Sequence, residues 1–96
     1  MTLQQFRDIL LTADPQASHY KSMQTPNYTV WREYGKTLRP EQTWKVQVDR
    51  FTKLEYDPIV TLITTALNID DIAYDYLCDF EKGTGYIHHI WDCRVA

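Results

Sequence analysis

Polar and apolar residues alternate in the middle of the chain, in the segment that begins at Trp44. Trp44, Val46 and Val48 occupy every second position, and the residues between them are polar or charged. A period of two is typical of a strand with one buried side and one side facing water. We therefore predict a strand from about residue 42 to residue 53.

The end of this strand has an irregular pattern. The next large apolar residue after Val48 is Phe51, whereas the buried side of a regular strand would continue with Arg50 and Thr52. One extra residue in a strand shifts the alternation in this way. We therefore expect a β-bulge near Asp49 or Arg50.

A helix is predicted directly after the strand. Asp57 is a favourable N-cap, and Pro58 suits the first helical position because an N–H there has no helical partner. Apolar residues then recur at helical spacing: Ile59, Leu62, Ile63, Ala66 and Leu67. We expect a short, packed helix from Pro58 to about Asn68.

A second helix is predicted near the N-terminus. Thr2 and Gln5 have the spacing of a capping box. A stripe of apolar residues at helical spacing follows: Leu3, Phe6, Ile9, Leu10 and Ala13. Pro15 ends the helix, because proline disfavours helical geometry in the residue before it. Residues 3–13 should be helical, and residues 16–27, which have no sustained period, should form a long and partly extended connection.

Aromatic and β-branched residues predict a further strand at residues 28–34. The strand is bounded by Pro26 and Asn27 on one side and by Gly35 on the other. Residues 36–40 are polar and contain a proline, which favours a loop between this strand and the one that includes Trp44.

The C-terminal third is predicted to be a β-hairpin. Apolar residues occupy even positions before the glycine-containing turn and odd positions after it. Both sets must share the buried face, which limits the register. With a turn at residues 83–84, the paired residues are Phe80 with Ile87, Cys78 with His89, Tyr76 with Trp91, and Tyr74 with Cys93. These pairs would form an aromatic inner face, with both cysteines as small core residues.

The order of these elements predicts a single α+β domain over residues 1–96. We expect a mainly antiparallel four-stranded sheet, two helices packed on it, and a C-terminal β-hairpin. A chain of 96 residues is long enough for one core and too short for two domains.

Charge and hydropathy exclude several classes of protein. The formal net charge of −3 gives no basic patch of the kind that binds nucleic acid. No segment has the roughly 18 consecutive apolar residues of a membrane span, and residues 1–7 lack the features of a signal peptide. We expect a cytoplasmic protein with no membrane contact, whose two cysteines remain thiols.

Candidate chemistry lies mainly in the hairpin, which contains Cys78, His88, His89 and Cys93. The predicted register separates the two cysteines by about 13 Å, too far for one zinc site or a disulfide. His88 and His89 point to opposite faces. Cys78 opposite His89 is too small a ligand set for zinc, and the neighbouring Asp79 disfavours a reactive thiolate. The acidic residues of this segment should simply be solvated, so we predict no metal, no cofactor and no enzyme, while any ligand of Cys78 or His89 stays open.

Six amphipathic aromatic residues lie outside the clearest core positions: Tyr20, Tyr28, Trp31, Tyr34, Tyr56 and Tyr86. Tyr and Trp are enriched at protein interfaces, because each buries a large area and keeps a polar group. Two interpretations stay open: an assembly interface, or a small domain whose core contains large residues.

Several segments together resemble the small tail-terminator proteins of tailed bacteriophages and prophages, which are also called tail-completion or minor tail proteins. They are the run from Tyr28 to Gly35, the strand from Trp44 to Lys53, the Tyr56-Asp57-Pro58 helix start and the aromatic hairpin. The resemblance covers the order of elements over nearly the whole chain. The chain departs from the family pattern at Arg50, where an apolar residue is usual, and in a longer connection before Tyr28.

The resemblance implies a structural virion protein without an active site. It implies a ring, expected to be a hexamer, on the end of the tail tube. The ring would stop polymerisation of the tail-tube protein and present a surface to the head connector. DNA would pass through the lumen without specific binding. The protein would assemble in the bacterial cytoplasm and remain at the head–tail junction of the virion.

Eight residues are candidates for contacts with other copies or with partners: Trp31, Tyr34, Lys45, Gln47, Asp49, Arg50, Tyr56 and Tyr86. Two alternatives stay open. The first is a neighbouring head–tail connector or head-closure protein. The second is a small cytoplasmic inhibitor of the immunity or antitoxin type, whose acidic strands would bind a basic partner.

Overall fold

The computed structural model describes residues 1–21, 25, 27–38 and 42–96. The elements are α1 (Leu3–Ala13), β1 (Ser18–His19), β2 (Tyr28–Thr37), β3 (Thr43–Thr52), α2 (Pro58–Ile69), β4 (Ala73–Glu81) and β5 (Tyr86–Val95). The strands form one five-stranded sheet in the order β1-β2-β3-β5-β4. The chain therefore has an α+β fold.

The prediction of a mainly antiparallel four-stranded sheet is wrong, because β1 adds a fifth, parallel strand. Ser18 pairs with Val30 and His19 pairs with Trp31. The N–H of Tyr20 then donates to the carbonyl of Trp31 at 2.9 Å. The other three pairings are antiparallel. Two residues are too few to show a period, so β1 was hidden within the predicted connection.

The first long strand extends beyond its predicted end. β2 continues to Thr37, into the segment where a loop was expected. The remainder of that predicted loop, from residue 39, and the Pro26 boundary lie outside the described residues.

The central strand β3 is regular at the position where a bulge was predicted. Its pairing with β5 runs without interruption from Trp44 to Thr52. Arg50 and Thr52 continue the buried side of the strand. The irregularity lies instead in β2, where the register shifts between Glu33 and Gly35.

The predicted register of the C-terminal hairpin is confirmed. All four predicted pairs, from Phe80 with Ile87 to Tyr74 with Cys93, occur between β4 and β5. The strands end at residues 81 and 86, so residues 82–85 form the loop. The N–H of Gly85 donates to the carbonyl of Glu81 at 2.8 Å. Gly85 has a φ of 77°, which glycine adopts without strain.

Both predicted helix starts are confirmed. Thr2 and Gln5 form the capping box, in which the Thr2 hydroxyl accepts from the Gln5 N–H at 3.0 Å. The Asp57 carboxylate accepts from the Ile59 N–H at 2.9 Å and caps α2. Satisfying these helical N–H groups fixes where each helix begins.

Both helices pack on the same side of the sheet, which we call the helix side. The core contains Phe6, Leu10, Ala13, Trp31, Val46, Val48, Ile63, Leu67, Ile72, Trp91, Cys93 and Val95. Its members on β3 are even-numbered and those on β5 are odd-numbered, as strand alternation requires. Neither helix has the length and apolar content needed to cross a membrane, among the residues that the structure describes.

The helices leave most of β4 uncovered, so the predicted aromatic inner face is only partly correct. Trp91 and Cys93 of β5 are buried in the core. Their partners and neighbours on β4, including Tyr76, Cys78 and Phe80, are exposed. Cys78 is therefore not a core residue. Alternation shows which face a side chain occupies, but it does not show whether another element covers that face.

Candidate functional site

The side of the sheet opposite the helices, which we call the open face, carries five of the eight candidate interface residues. Lys45, Gln47 and Asp49 project there from β3, between the buried residues of the helix side. Tyr34 reaches the same face from β2, and Tyr86 reaches it from β5. None of the described helices packs on this face.

The polar groups at the centre of the open face bond mainly to each other. Gln47 donates from Nε2 to Asp49 Oδ1 at 2.9 Å. His88 Nε2 lies 2.7 Å from the same carboxylate oxygen, and Glu81 Oε1 lies 3.5 Å from His88 Nδ1. As a result, Asp49 is only 7% exposed. This carboxylate is part of an internal network, so it has little surface to offer a partner.

A second network surrounds Tyr34, the residue at the bulge in β2. Its hydroxyl donates to Asp92 Oδ1 at 2.5 Å, and Arg94 donates to the same oxygen at 2.9 Å. Burial alone would raise the pKa of Asp92, but these two hydrogen bonds outweigh it and hold that pKa below its usual value. The Asp92 hydrogen bond in turn raises the pKa of Tyr34. The network ties β2 to β5 across the open side of β3.

Aromatic rings pack in a row at the other end of the open face. Phe51 stacks on Tyr28 and on His88, with ring centroids 4.9 and 4.1 Å apart. Tyr86 meets Phe51 edge to face at 6.2 Å, and Lys53 Nζ lies 5.6 Å from the centre of the Tyr86 ring. Tyr86 is therefore half-buried by its own chain.

Two candidate residues lie on the helix side of the sheet and are buried. Trp31 is 2% exposed and stacks on His19, with ring centroids 3.9 Å apart. Arg50 is 6% exposed. Their side chains stabilise this fold and do not reach its surface.

Arg50 is the centre of a buried charged cluster that joins α1, β2, β3 and α2. It donates from Nε to Asp57 at 2.9 Å, and its Nη1 lies 3.4 Å from Asp14 and 3.3 Å from Thr29. Burial would raise the pKa of Asp57. Hydrogen bonds from the Thr52 side chain, the Ile59 N–H and Arg50 lower it further than burial raises it. The charge on this buried residue is therefore explained by two carboxylates placed at the end of α1 and the start of α2.

The last candidate, Tyr56, lies in the loop between β3 and α2 and is 88% exposed. The eight candidate residues therefore differ in how much of their surface they offer to a partner. One member is almost fully available to a partner, four are partly engaged on the open face, and three, including Asp49, are buried.

The largest group of exposed apolar side chains on one strand lies on β4, which contains none of the eight candidates. Leu77 is 63% exposed and Phe80 is 58% exposed, and Tyr76 and Cys78 are exposed beside them. Among the described strands, β4 is the last of the sheet and pairs only with β5. The N–H and C=O groups of its outer edge have no strand partner there and can pair with another strand. Sequence reasoning missed this surface because alternation was taken to mean burial.

His89 belongs to β5, where it pairs with Cys78 of β4, and its side chain lies on the helix side next to Tyr76. The Tyr76 hydroxyl is 2.5 Å from His89 Nδ1, whereas His89 Nε2 has no hydrogen-bond partner among the described residues. Burial lowers the pKa of His89 and, together with Cys78, raises the pKa of Tyr76 to about 12. No three His, Cys, Asp or Glu side chains within the described ranges are placed to hold a metal ion. The arrangement is that of a neutral, buried histidine.

Neither a scan against protein-family models nor a search of curated proteins found a match to this chain.

Proposed function

We propose that this chain is a structural protein of a phage or prophage virion that forms a ring on the tail tube. The ring ends tail polymerisation and joins the tail to the head. The observation that carries the proposal is the exposed β4 strand, where Leu77 and Phe80 accompany a free backbone edge. Exposed apolar edge strands favour pairing with other chains, and natural monomers usually avoid them. A subunit that assembles would bury this surface.

The open face supports a structural role rather than a catalytic one. Its polar side chains satisfy each other across three strands, as in the hydrogen bonds that Asp49 and Asp92 accept. Such networks make a surface rigid without requiring a ligand. The proposed partners are further copies of the chain in a ring of six, the tail-tube protein and the head connector. With a net charge of −3, the ring would let DNA pass through its lumen without binding it specifically.

The proposal places the protein in the host bacterial cytoplasm during assembly and at the head–tail junction of the finished particle. Antibody labelling of purified virions tests this location. Label at the junction of head and tail is expected. Label along the whole tube, or its absence from virions, would contradict the proposal.

Light scattering and negative-stain electron microscopy test ring formation. A mass several times the 11.4 kDa of one chain, and particles with a central hole, are expected. The rings should then be added to growing tubes of the tail-tube protein encoded nearby. Tubes should become shorter and carry a ring at one end. Unchanged tube length with rings bound only to the connector would indicate a head–tail connector or head-closure protein instead.

A pair of matched variants connects ring formation to β4. The double substitution Leu77→Ser and Phe80→Ser should abolish the ring and leave the fold intact, because both side chains are exposed. Leu54→Ser is the control, since Leu54 is also exposed and lies in the loop before α2. This control should still form rings. Rings formed equally well by both proteins would remove β4 from the argument.

A small inhibitor-type binding protein is the second candidate, because of the charge on one part of the chain. From Leu54 to Glu81 the sequence contains no Lys or Arg and seven carboxylates, of which all but the buried Asp57 lie outside the Arg50 cluster. Such a segment is suited to a basic protein partner. A stable 11.4 kDa monomer that binds one basic protein tightly, with affinity that falls steeply as salt rises, would favour this function over the ring.

A further inference from the structure

Among the residues that the structure describes, two strand edges at opposite ends of this sheet have no neighbouring strand along most of their length. One is the outer edge of β4 over its whole length. The other is the second half of β2, residues 32–37, which we call the β2 edge. Within the described ranges, β1 pairs with β2 only at Val30 and Trp31. The Tyr20 hydroxyl donates to the carbonyl of Glu33 at 3.4 Å, and no described strand covers the rest of the β2 edge. A sheet with one free edge at each end can be continued by further copies of itself.

The two edges have opposite charges. β4 contains Asp75, Asp79 and Glu81 and no cation. The β2 edge contains Arg32 and Lys36 together with Glu33, whose carboxylate lies 2.7 Å from His19 Nε2. Arg32 and Lys36 are exposed. With two cations and one carboxylate, the β2 edge has a net positive charge.

We infer that copies join head to tail, with β4 of one copy paired to the β2 edge of the next. This inference rests on the proposed ring and names its interface. Two copies of β4 placed side by side would bring their own carboxylates together, and like charges on paired strands destabilise the pairing. The β4 edge and the β2 edge instead attract each other. A contact between different surfaces closes into a ring when the rotation between copies permits it.

Strand direction determines how the two edges meet. β2 is antiparallel to β3, β3 to β5, and β5 to β4, so β2 and β4 run in opposite directions. If the axis of the ring runs parallel to the strands, the rotation that relates one copy to the next leaves the direction of every strand unchanged. β4 then meets the β2 edge of the next copy as an antiparallel neighbour, and the helices of all copies stay on one side of a continuous sheet.

A groove beside β4 provides space for side chains of the next copy. It lies between α2 and the strand and has a volume of about 380 Å³. Its lining residues are Val60, Thr61, Thr64, Thr65, Tyr74 and Tyr76. Lys36 pairs with Trp44, so it lies on the helix side of its strand, the side on which this groove opens. Its ammonium group lies 4.6 Å from the centre of the Trp44 ring and is the cation of the β2 edge on the side of the groove. Arg32 pairs with Gln47, so it lies on the open face, the face on which the carboxylates of β4 project.

Charge reversal tests the pairing. Asp75→Lys with Asp79→Lys, and separately Arg32→Glu with Lys36→Glu, should each reduce the ring to monomers in light scattering. A protein with all four substitutions has both edges reversed and should form rings again. Rings from both double variants would overturn this interface while leaving ring formation, and hence the proposed function, in place. A wild-type protein that stays monomeric would overturn both.

Cross-linking tests which edges meet. Cys78 is exposed on the helix side of β4, whereas burial raises the pKa of Cys93 to about 12 and keeps its thiol unreactive. Lys36→Cys adds a second reactive thiol at the β2 edge. A short bis-maleimide should link these chains into a ladder of multimers. Gln4→Cys, on the exposed surface of α1, is the matched control and should give no such ladder. Wild-type chains linked only as dimers through Cys78 would show β4 meeting β4, and would overturn the head-to-tail pairing.

Discussion

The guanidinium of Arg50 donates from Nε to Asp57 Oδ2 at 2.9 Å, and the other oxygen of the same carboxylate caps α2. One buried side chain therefore holds the central strand against the first turn of the helix. Asp14, at the end of α1, lies within 3.4 Å of the same guanidinium. The positions of both helices on the sheet depend on this cluster.

Arg50→Met should destabilise the fold strongly. Methionine fills similar space but leaves the carboxylates of Asp57 and Asp14 without their cation. Breaking a buried ion pair in this way costs roughly 3–5 kcal/mol in free energy of unfolding. Urea unfolding followed by tryptophan fluorescence measures the loss. Arg7→Met is the control, because the Arg7–Asp8 pair is exposed and should contribute less than about 1 kcal/mol. Equal effects at the two sites would contradict the proposed role of the cluster.

Acidification should weaken the fold through His89. Burial lowers its pKa in the folded state, although Asp57 partly opposes this. Below the unfolded pKa of about 6.5, the unfolded chain binds a proton that the folded chain resists. His89 therefore does not reduce the free energy of unfolding at pH 7. This free energy declines as the pH falls from about 6.5 toward the folded pKa.

His89→Gln removes this titration. Comparison of the variant with wild type therefore separates the effect of His89 from that of the carboxylates, which titrate in more acidic solution. Unfolding free energies of wild type and variant should be compared at pH 7 and pH 5. The deficit of the variant should be smaller at pH 5. A deficit that grows on acidification would mean that folding favours the charged imidazole.

The two cysteines should differ sharply in reactivity toward a thiol reagent. Cys78 is exposed and Cys93 is buried, with its pKa raised to about 12 by burial and by Asp92. One thiol per chain should react rapidly in dilute native protein, and the second should react only on unfolding. Cys78→Ser should abolish the rapid reaction, and Cys93→Ser should preserve it. Rapid reaction of both thiols in the wild type would show that the core around Cys93 opens readily.

Tyr34→Phe should destabilise the folded chain modestly. The substitution removes the hydroxyl that donates to Asp92 and leaves the rest of the ring in place. A typical loss for one hydrogen bond is about 1 kcal/mol. Tyr56→Phe is the control, because the Tyr56 side chain is 88% exposed, and it should leave thermal unfolding unchanged. An unaltered unfolding temperature for both would show that the Tyr34 hydroxyl contributes nothing to the fold.

The strand periods and caps were enough to predict most of the elements. The hairpin register followed from parity alone, and pairs such as Cys78 with His89 occur as predicted. The N-caps at Thr2 and Asp57 were also visible in the sequence. These features depend on residues close together in the chain, where local geometry leaves few choices.

The features that sequence did not reveal depend on distant residues. Arg50 was placed at a bulge because its buried partners, Asp14 and Asp57, belong to other elements. β1 consists of two residues and has no pattern of its own. The exposure of β4 could not be inferred either, because it depends on how far the helices extend across the sheet. The exposed apolar side chains therefore lie on β4, which contains none of the eight residues chosen from the sequence.

The order of the strands also determines a folding route. β2 with β3, and β4 with β5, are neighbours in sequence and can form as local hairpins. The ladder between β3 and β5 joins strands that α2 and β4 separate in the chain, and closing such a long loop is slow. Docking of the two hairpins is thus expected to limit the folding rate. The middle of the finished sheet, which has its most buried strands, would be the last part of the molecule to form.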